Sequence, residues 1–218
     1  MKRIVTGCLA LLTSIASFGQ ADVKDPKAKG ILDQLSKKTN AYTSIHATFD
    51  HSLKNESEGL DEVNEGELWL EGNKFRVKLV GQDIRCNGTT QWNFIEDDEE
   101  VTVEDYEPEG EDAMMSPTNI FTMYESGFKY QYVGQMKKAG KEADVIKLFP
   151  EKADKFFHTA VLYIDHEKLE IMSIELKGKD GNNYAYAIKS FETNASFPKS
   201  TFQWVASENP DIDVIDLR

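Results

Sequence analysis

Histidines, cysteines and carboxylates are the side chains with chemistry to offer in this chain, and their spacing limits what they can do. The four histidines are His46, His51, His158 and His166. No two of them have the spacing that places two ligands on one helix face, and none joins a cysteine cluster, so a zinc-type site has no basis. His46 and His51 are five residues apart and would point to opposite faces of a strand. The run Asp97-Asp98-Glu99-Glu100 lacks the alternating ligands and central glycine of a calcium loop, and reads as a solvated hairpin tip. No metal and no cofactor are expected.

Nucleophilic chemistry fares no better. No nucleophile elbow, phosphate-cradling loop or dinucleotide fingerprint occurs. The 38 carboxylates cannot be sorted into an acid–base pair by sequence. Cys8 sits inside an N-terminal apolar run. Val5-Thr6-Gly7-Cys8 only loosely matches a lipid-attachment motif, because most of that run follows the cysteine instead of preceding it. Cys86 has no histidine close by and reads as a buried small hydrophobe. Asn55-Glu56-Ser57, Asn87-Gly88-Thr89 and Asn194-Ala195-Ser196 match the glycosylation pattern, as chance alone produces. The expectation is a protein that is not an enzyme.

The elements that would position these residues begin with a leader. Lys2 and Arg3 precede a short apolar run that closes at Gly19-Gln20-Ala21, before Asp22. A basic start, an apolar stretch too short to span a bilayer and a small-residue exit predict a secretory signal peptide over residues 1–21. Residues 22–218 then read as a single soluble domain. The full chain carries a net charge of −13, and losing Lys2 and Arg3 makes the remainder more negative still. Such a chain repels phosphate backbones and anionic membrane faces, which argues against a nucleic-acid partner.

Residues 24–45 read as helix, with Asp25-Pro26 as N-cap and first-turn proline, an apolar stripe through Ala28, Ile31 and Leu35, and an end or break at Asn40. From Ile45 the apolar period becomes two. Ile45, Ala47 and Phe49 alternate with polar residues, as do Phe75 and Val77, and Val101 and Val103, while Leu68 and Leu70 alternate with Trp69. Gly72-Asn73 and Asn87-Gly88 are hairpin turns between them. Pro108 to Gly127 breaks the pattern, with an acidic loop at 107–112. Ser116-Pro117 then opens a short helix whose Ile120, Phe121, Met123 and Tyr124 offer more apolar surface than one face needs. Strands resume from Phe128, turn at Lys179-Asp180-Gly181-Asn182, and finish with Phe202-Gln203-Trp204. The fold class is mainly β: a strongly curved antiparallel sheet forming an incomplete barrel of about ten or eleven strands, with an N-terminal helix and a short lid helix over an apolar cavity.

In its order of segments the chain resembles the periplasmic outer-membrane lipoprotein carrier family (LolA-type). Thr43-Ser44-Ile45-His46-Ala47-Thr48-Phe49 is similar to that family's first strand. Glu65-Gly66-Glu67-Leu68-Trp69-Leu70 resembles its G-x-L-W strand, and Lys74-Phe75-Arg76-Val77 its x-F-R-W strand. Cys86 to Phe94 resembles S-D-G-K-T-L-W-x-Y, and Ser116-Pro117 stands where the family has its lid. The likeness runs over roughly residues 28 to 205. Two positions depart from it. Glu71-Gly72 replaces the Arg-Pro whose arginine latches the lid, and Val77 replaces a common tryptophan.

The resemblance implies a carrier of lipoprotein acyl chains, or of another lipid, that moves its load from the inner to the outer membrane. It implies an inner-membrane lipoprotein-releasing transporter as donor and an outer-membrane acceptor, with the carrier a monomer in the periplasm. Cavity and lid would comprise Ile31, Leu35, Leu68, Leu70, Phe75, Val77, Trp92, Ile120, Phe121, Met123 and Tyr124. Without the hairpin arginine, the closed lid should be less favoured unless Lys74 or Arg76 substitutes. Two readings from other classes remain open: a secreted β-barrel hydrolase using carboxylates, and a protein-interaction module.

Overall fold

A computed structural model describes residues 24–107, 124, 127–208 and 210–218. The expected leader lies outside these residues, as does nearly all of the expected lid, including Ser116-Pro117, Ile120, Phe121 and Met123.

The helix, α1, spans Pro26–Asn40. Asp25 caps it, its carboxylate accepting from the backbone N–H of Lys27 at 2.8 Å and of Ala28 at 3.2 Å. The other carboxylate oxygen accepts from the N–H of Tyr132 at 3.1 Å, which ties the helix start to the sheet. These backbone bonds, Tyr132's above all, hold the Asp25 carboxyl below its usual range. The buried stripe is Ala28, Leu32, Leu35, Ser36 and Thr39, at helical spacing. Leu32 is fully buried, whereas Ile31 packs at the margin of the core.

Twelve strands follow among the described residues: β1 Ile45–Asn55, β2 Leu60–Glu71, β3 Lys74–Leu79, β4 Gln82–Cys86, β5 Thr90–Ile95, β6 Glu100–Asp105, β7 Phe128–Lys138, β8 Lys141–Pro150, β9 Phe157–Asp165, β10 Ile171–Gly178, β11 Asn183–Thr193 and β12 Asp213–Asp216. They form one curved, open sheet in the order β12-β6-β5-β4-β3-β2-β1-β11-β10-β9-β8-β7. β1 is the seam, paired with β2 on one side and β11 on the other. Every pairing is antiparallel except β12 on β6, which is parallel.

The turns are where residue chemistry demands them. Gly72 (φ 58°) and Gly88 (φ 98°) occupy left-handed positions in the β2–β3 and β4–β5 hairpins. The acidic run closes the β5–β6 hairpin and is exposed at Asp97, Asp98 and Glu99.

Two expectations are corrected. The strand count is twelve, because the parallel β12 is so short and exposed that its alternation carries no signal. Phe202-Gln203-Trp204 is not a strand. Lys199–Phe202 is a 3₁₀ turn that packs against β3 and β4. Both edges of β3 and of β4 are already paired, so this segment can only lie on a face.

One irregularity of the sheet lies at Phe49, on the seam strand. The β1–β11 register shifts between Thr48 and Phe49, a bulge that bends a sheet. Across the β1–β2 ladder Phe49 faces Gly66, and a Cβ on Gly66 would lie 2.3 Å from the Phe49 ring. The ring therefore occupies the volume of the absent side chain. Gly66→Ala should lower stability by about 1–3 kcal/mol, through overpacking, in a denaturant melt. Combining it with Phe49→Leu should recover part of that loss, and a single Gly66→Ala with unchanged stability would show that the contact is not constraining.

Candidate functional site

Registry across the sheet sorts every strand side chain to one of two faces. One row runs Ile146, Leu162, Ile174, Tyr186, His51 and Asn64 across β8, β9, β10, β11, β1 and β2. Along β1 the same face carries Ile45, Ala47, Phe49 and Leu53. From there rows continue through Leu68, Val77, Ile84 and Asn93, and through Leu70, Phe75, Cys86 and Gln91. The core cluster places α1 on this face. Ala28, Leu32 and Leu35 pack with Phe128, Tyr130, Ile146, Leu148, Leu162 and Leu176.

The helix cannot cover this face. At 15 residues α1 is about 22 Å long. Twelve strands at their usual spacing span on the order of 50 Å. The buried core accordingly gathers over β7–β11. Toward β2–β4, Leu68, Leu70, Val77 and Ile84 are only half-buried, while Phe75 and Cys86 are buried. The result is a continuous apolar face with an incompletely covered end.

The expected site residues divide accordingly. Leu68, Leu70, Phe75 and Val77 share the apolar face with Leu35 and Ile31 of α1. Tyr124 is buried in the core, its ring edge-on to Tyr130 and its hydroxyl donating to Asp33 at 3.3 Å. Trp92 does not join them. It stands opposite Arg85, in the row Trp69–Arg76–Arg85–Trp92 on the other face. The alternation of β5 fits either orientation, and only pairing with β4 decides between them. Ile120, Phe121 and Met123 lie outside the described residues. Leu32, Ile84, His51, Tyr184 and Tyr186 also belong to the apolar face; the two-residue period groups the strand residues among them by face, and pairing shows which face that is.

The opposite face is charged. Arg76 donates to Asp83 through Nε at 2.8 Å and Nη2 at 2.6 Å, and Arg85 donates to the same carboxylate through Nη2 at 2.8 Å. Burial pushes the Asp83 carboxyl up, but hydrogen bonds from Arg76 and Arg85 outweigh it and hold the carboxyl below its usual range. Arg76 also lies over Trp69 and Arg85 over Trp204, which stacks on Phe94. A groove of about 570 Å³ opens beside this network, lined by Thr48, Glu67, Lys78, Asp83 and Phe94 among others. Its charged walls suit a solvated surface better than an acyl chain.

The two candidate latch cations are engaged elsewhere. Lys74 pairs with Glu71 at 2.8 Å, and Arg76 is committed to Asp83 on the charged face. Among the described residues no cluster of three or more His, Cys, Asp or Glu could hold a metal, and no helix is long and apolar enough to cross a membrane. His46 and His51 do fall on opposite faces. His46 stacks on Trp69 and pairs with Glu67 at 2.7 Å, while His51 lies among Tyr184, Tyr186 and Phe49.

Among the described residues the fold is a large curved open sheet with one helix on its apolar face. The family model for the outer membrane lipoprotein carrier protein LolA matches residues 40–205, and the chain belongs to that family. Members of this family are carriers or binding proteins and not enzymes. An uncharacterized conserved protein from Thermus thermophilus shares the fold at a TM-score of 0.58 and 14% identity, over 87% of this chain and 99% of that one. Looser likenesses include lipoprotein LppX from Mycobacterium tuberculosis (TM-score 0.48, 14% identity, 80% of this chain and 98% of that one). Another is a putative outer membrane lipoprotein-sorting protein domain from Vibrio parahaemolyticus (0.43, 11%, 81% and 97%). No functionally curated protein matches the chain in sequence.

Burial pushes the Cys86 thiol up to about 11, although the Gly88 N–H donates to its sulfur at 3.3 Å. The thiolate is scarce at neutral pH. Cys86 should therefore resist a thiol reagent in the native protein and react once it is denatured. Rapid native labelling would mean that the β4 end opens readily.

A separate pH effect sits at the β9–β10 turn, where His166 Nδ1 lies 2.7 Å from Asp144, whose other oxygen accepts from the Tyr132 hydroxyl. The Asp144 hydrogen bond raises the His166 pKa. The resulting stabilisation is fully present below the ordinary histidine pKa and is lost as pH rises through the higher folded value. Denaturant midpoints at about pH 6 and about pH 8 should differ less in His166→Gln than in the native protein. An unchanged difference would remove His166 as its source.

Proposed function

We propose that this protein is a periplasmic carrier, in which residues 1–21 are a cleaved leader and residues 22–218 form one domain that shelters acyl chains of lipoproteins, or of a related lipid, on its apolar face. The carrying observation is the half-buried run Leu68, Leu70, Val77 and Ile84, contiguous with the core but beyond the reach of α1. Membership in a lipoprotein carrier family supports the same reading. The role is binding and transfer, with no catalytic step, between an inner-membrane lipoprotein-releasing transporter and an outer-membrane acceptor.

The energetics suit a shuttle. Each buried methylene contributes about 0.8 kcal/mol, so a long acyl chain supplies on the order of 10 kcal/mol gross, before the costs of association and ordering. A face that is already partly solvated gives back only part of its own apolar hydration when loaded. The carrier can then both hold and release its load. The residues expected at the lid, Ile120, Phe121 and Met123, would add cover from outside the sheet.

Displacement of a fluorescent fatty-acid probe tests the proposal. The native protein should bind the probe and release it to competing lipid. Val77→Glu places a charge on the half-buried surface, so probe affinity should fall at least tenfold while the melt stays cooperative. A native protein that ignores the probe and purifies free of lipid by native mass spectrometry would sink the carrier role.

A further inference from the structure

Among the described residues, four buried side-chain polar atoms have no hydrogen-bond partner: His51 Nδ1, Asn93 Oδ1, Ser173 Oγ and Trp204 Nε1. His51 and Asn93 are on the apolar face. Asn93 is half-buried, whereas His51 retains only 9% of its exposure. An imidazole so deep in an apolar surface, with Nδ1 unpaired, costs free energy that the fold does not recover from its own groups.

The surroundings of His51 are aromatic. Tyr186 lies 5.1 Å away and Tyr184 6.3 Å, by ring centroids. Phe49 packs on Tyr186, and the half-exposed Phe156 sets its ring perpendicular to Tyr184 at 5.6 Å. In its row the direct neighbours are Tyr186 and Asn64, neither of them charged. Burial holds the imidazole below its ordinary pKa, so the ring is neutral at neutral pH and carries one N–H and one lone pair. Among the described residues no hydrogen bond at Nδ1 resists rotation about its last torsion, which is broad for histidine.

We propose that His51 is the polar anchor of the apolar face, donating a hydrogen bond to the ester carbonyl of an acyl-chain ligand. This rests on the carrier reading. A neutral imidazole beside uncharged neighbours can satisfy a carbonyl. It cannot neutralise a buried phosphate or carboxylate, which would need a cation in its row. The ligand's chain would take the Leu68–Ile84 surface, and its ester would lie toward the aromatic end. Ester-linked lipids are thereby distinguished from molecules that are merely greasy, because a site with an unpaired donor binds poorly what cannot accept from it.

A short-chain diacylglycerol and its dialkyl ether counterpart, which keeps the chains and glycerol but lacks the carbonyls, separate these ideas. Each competes with the fluorescent fatty-acid probe on the native protein, on His51→Phe and on His51→Gln. The native protein should favour the diacyl form on the order of fivefold. His51→Phe should bind both equally and melt no lower than the native protein without ligand, because it removes an unsatisfied polar atom and keeps an aromatic ring. His51→Gln, which keeps a donor, should retain part of the preference. Equal native affinity for both lipids, or a preference that survives in His51→Phe, would overturn the anchor and leave the carrier role standing. Failure of both lipids to displace the probe would overturn the two together. A His51→Phe protein that melts well below the native one would mark the imidazole as structural and count against the anchor.

Discussion

A twelve-stranded open sheet has far more apolar face than a 15-residue helix can cover, and most of what is distinctive here follows from that mismatch. Covering a sheet is ordinarily a matter of adding a second layer. Among the described residues the second layer is one helix over β7–β11, and the face toward β2–β4 is only half-buried. The bulge at Thr48/Phe49 and the missing side chain of Gly66 allow the sheet to bend at the seam strand. The half-buried apolar surface on β2–β4 is what the mismatch leaves over among the described residues.

The other face solves a different problem. Arg76, Asp83 and Arg85 sit largely buried on the outer side of β3 and β4, and the chain beyond β11 returns across them. Arg85 donates to the carbonyl of Gln203 and lies over Trp204, while Phe202 is buried nearby. Pairing offsets the desolvation of these charges, and removing one partner of such a group typically costs about 3–5 kcal/mol. The network therefore holds the C-terminal segment onto the charged face. It keeps both arginines away from the apolar face, so the missing hairpin arginine has no replacement in Arg76.

On the proposed carrier reading, recognition on the apolar face would be by area, with a small number of polar atoms for orientation. His51, beside Tyr184 and Tyr186 in mid-strand, belongs to this scheme more naturally than to acid–base chemistry, since among the described residues its Nδ1 has no hydrogen-bond partner. His166 has such a partner in Asp144, yet it stands exposed at a turn on the far side of the core.

Properties carried by near neighbours in the chain were legible in the sequence. The N-cap at Asp25, the glycines at positions 72 and 88, the acidic hairpin tip, and the shared face of Leu68 and Leu70 opposite Trp69 all depend on residues within a few positions of each other. The opposite orientations of His46 and His51 needed only the two-residue period. Other features required partners far away in sequence. Trp92 alternates equally well in either orientation, and its placement on the charged face comes from the ladder with β4. Phe202 and Trp204 have strand-like spacing, but no free ladder exists where they fall, so they pack flat. β12 pairs parallel with β6 from more than a hundred residues away, which no local pattern encodes. The same holds for His51: its face follows from periodicity, but its burial among Tyr184 and Tyr186 follows from β1 pairing with β11. Sequence alone determined the strands up to β11, the turns and the helix start, because short-range sterics and hydrogen bonding set them. The tertiary structure decided which face is covered, by what, and how far, because burial depends on the whole sheet.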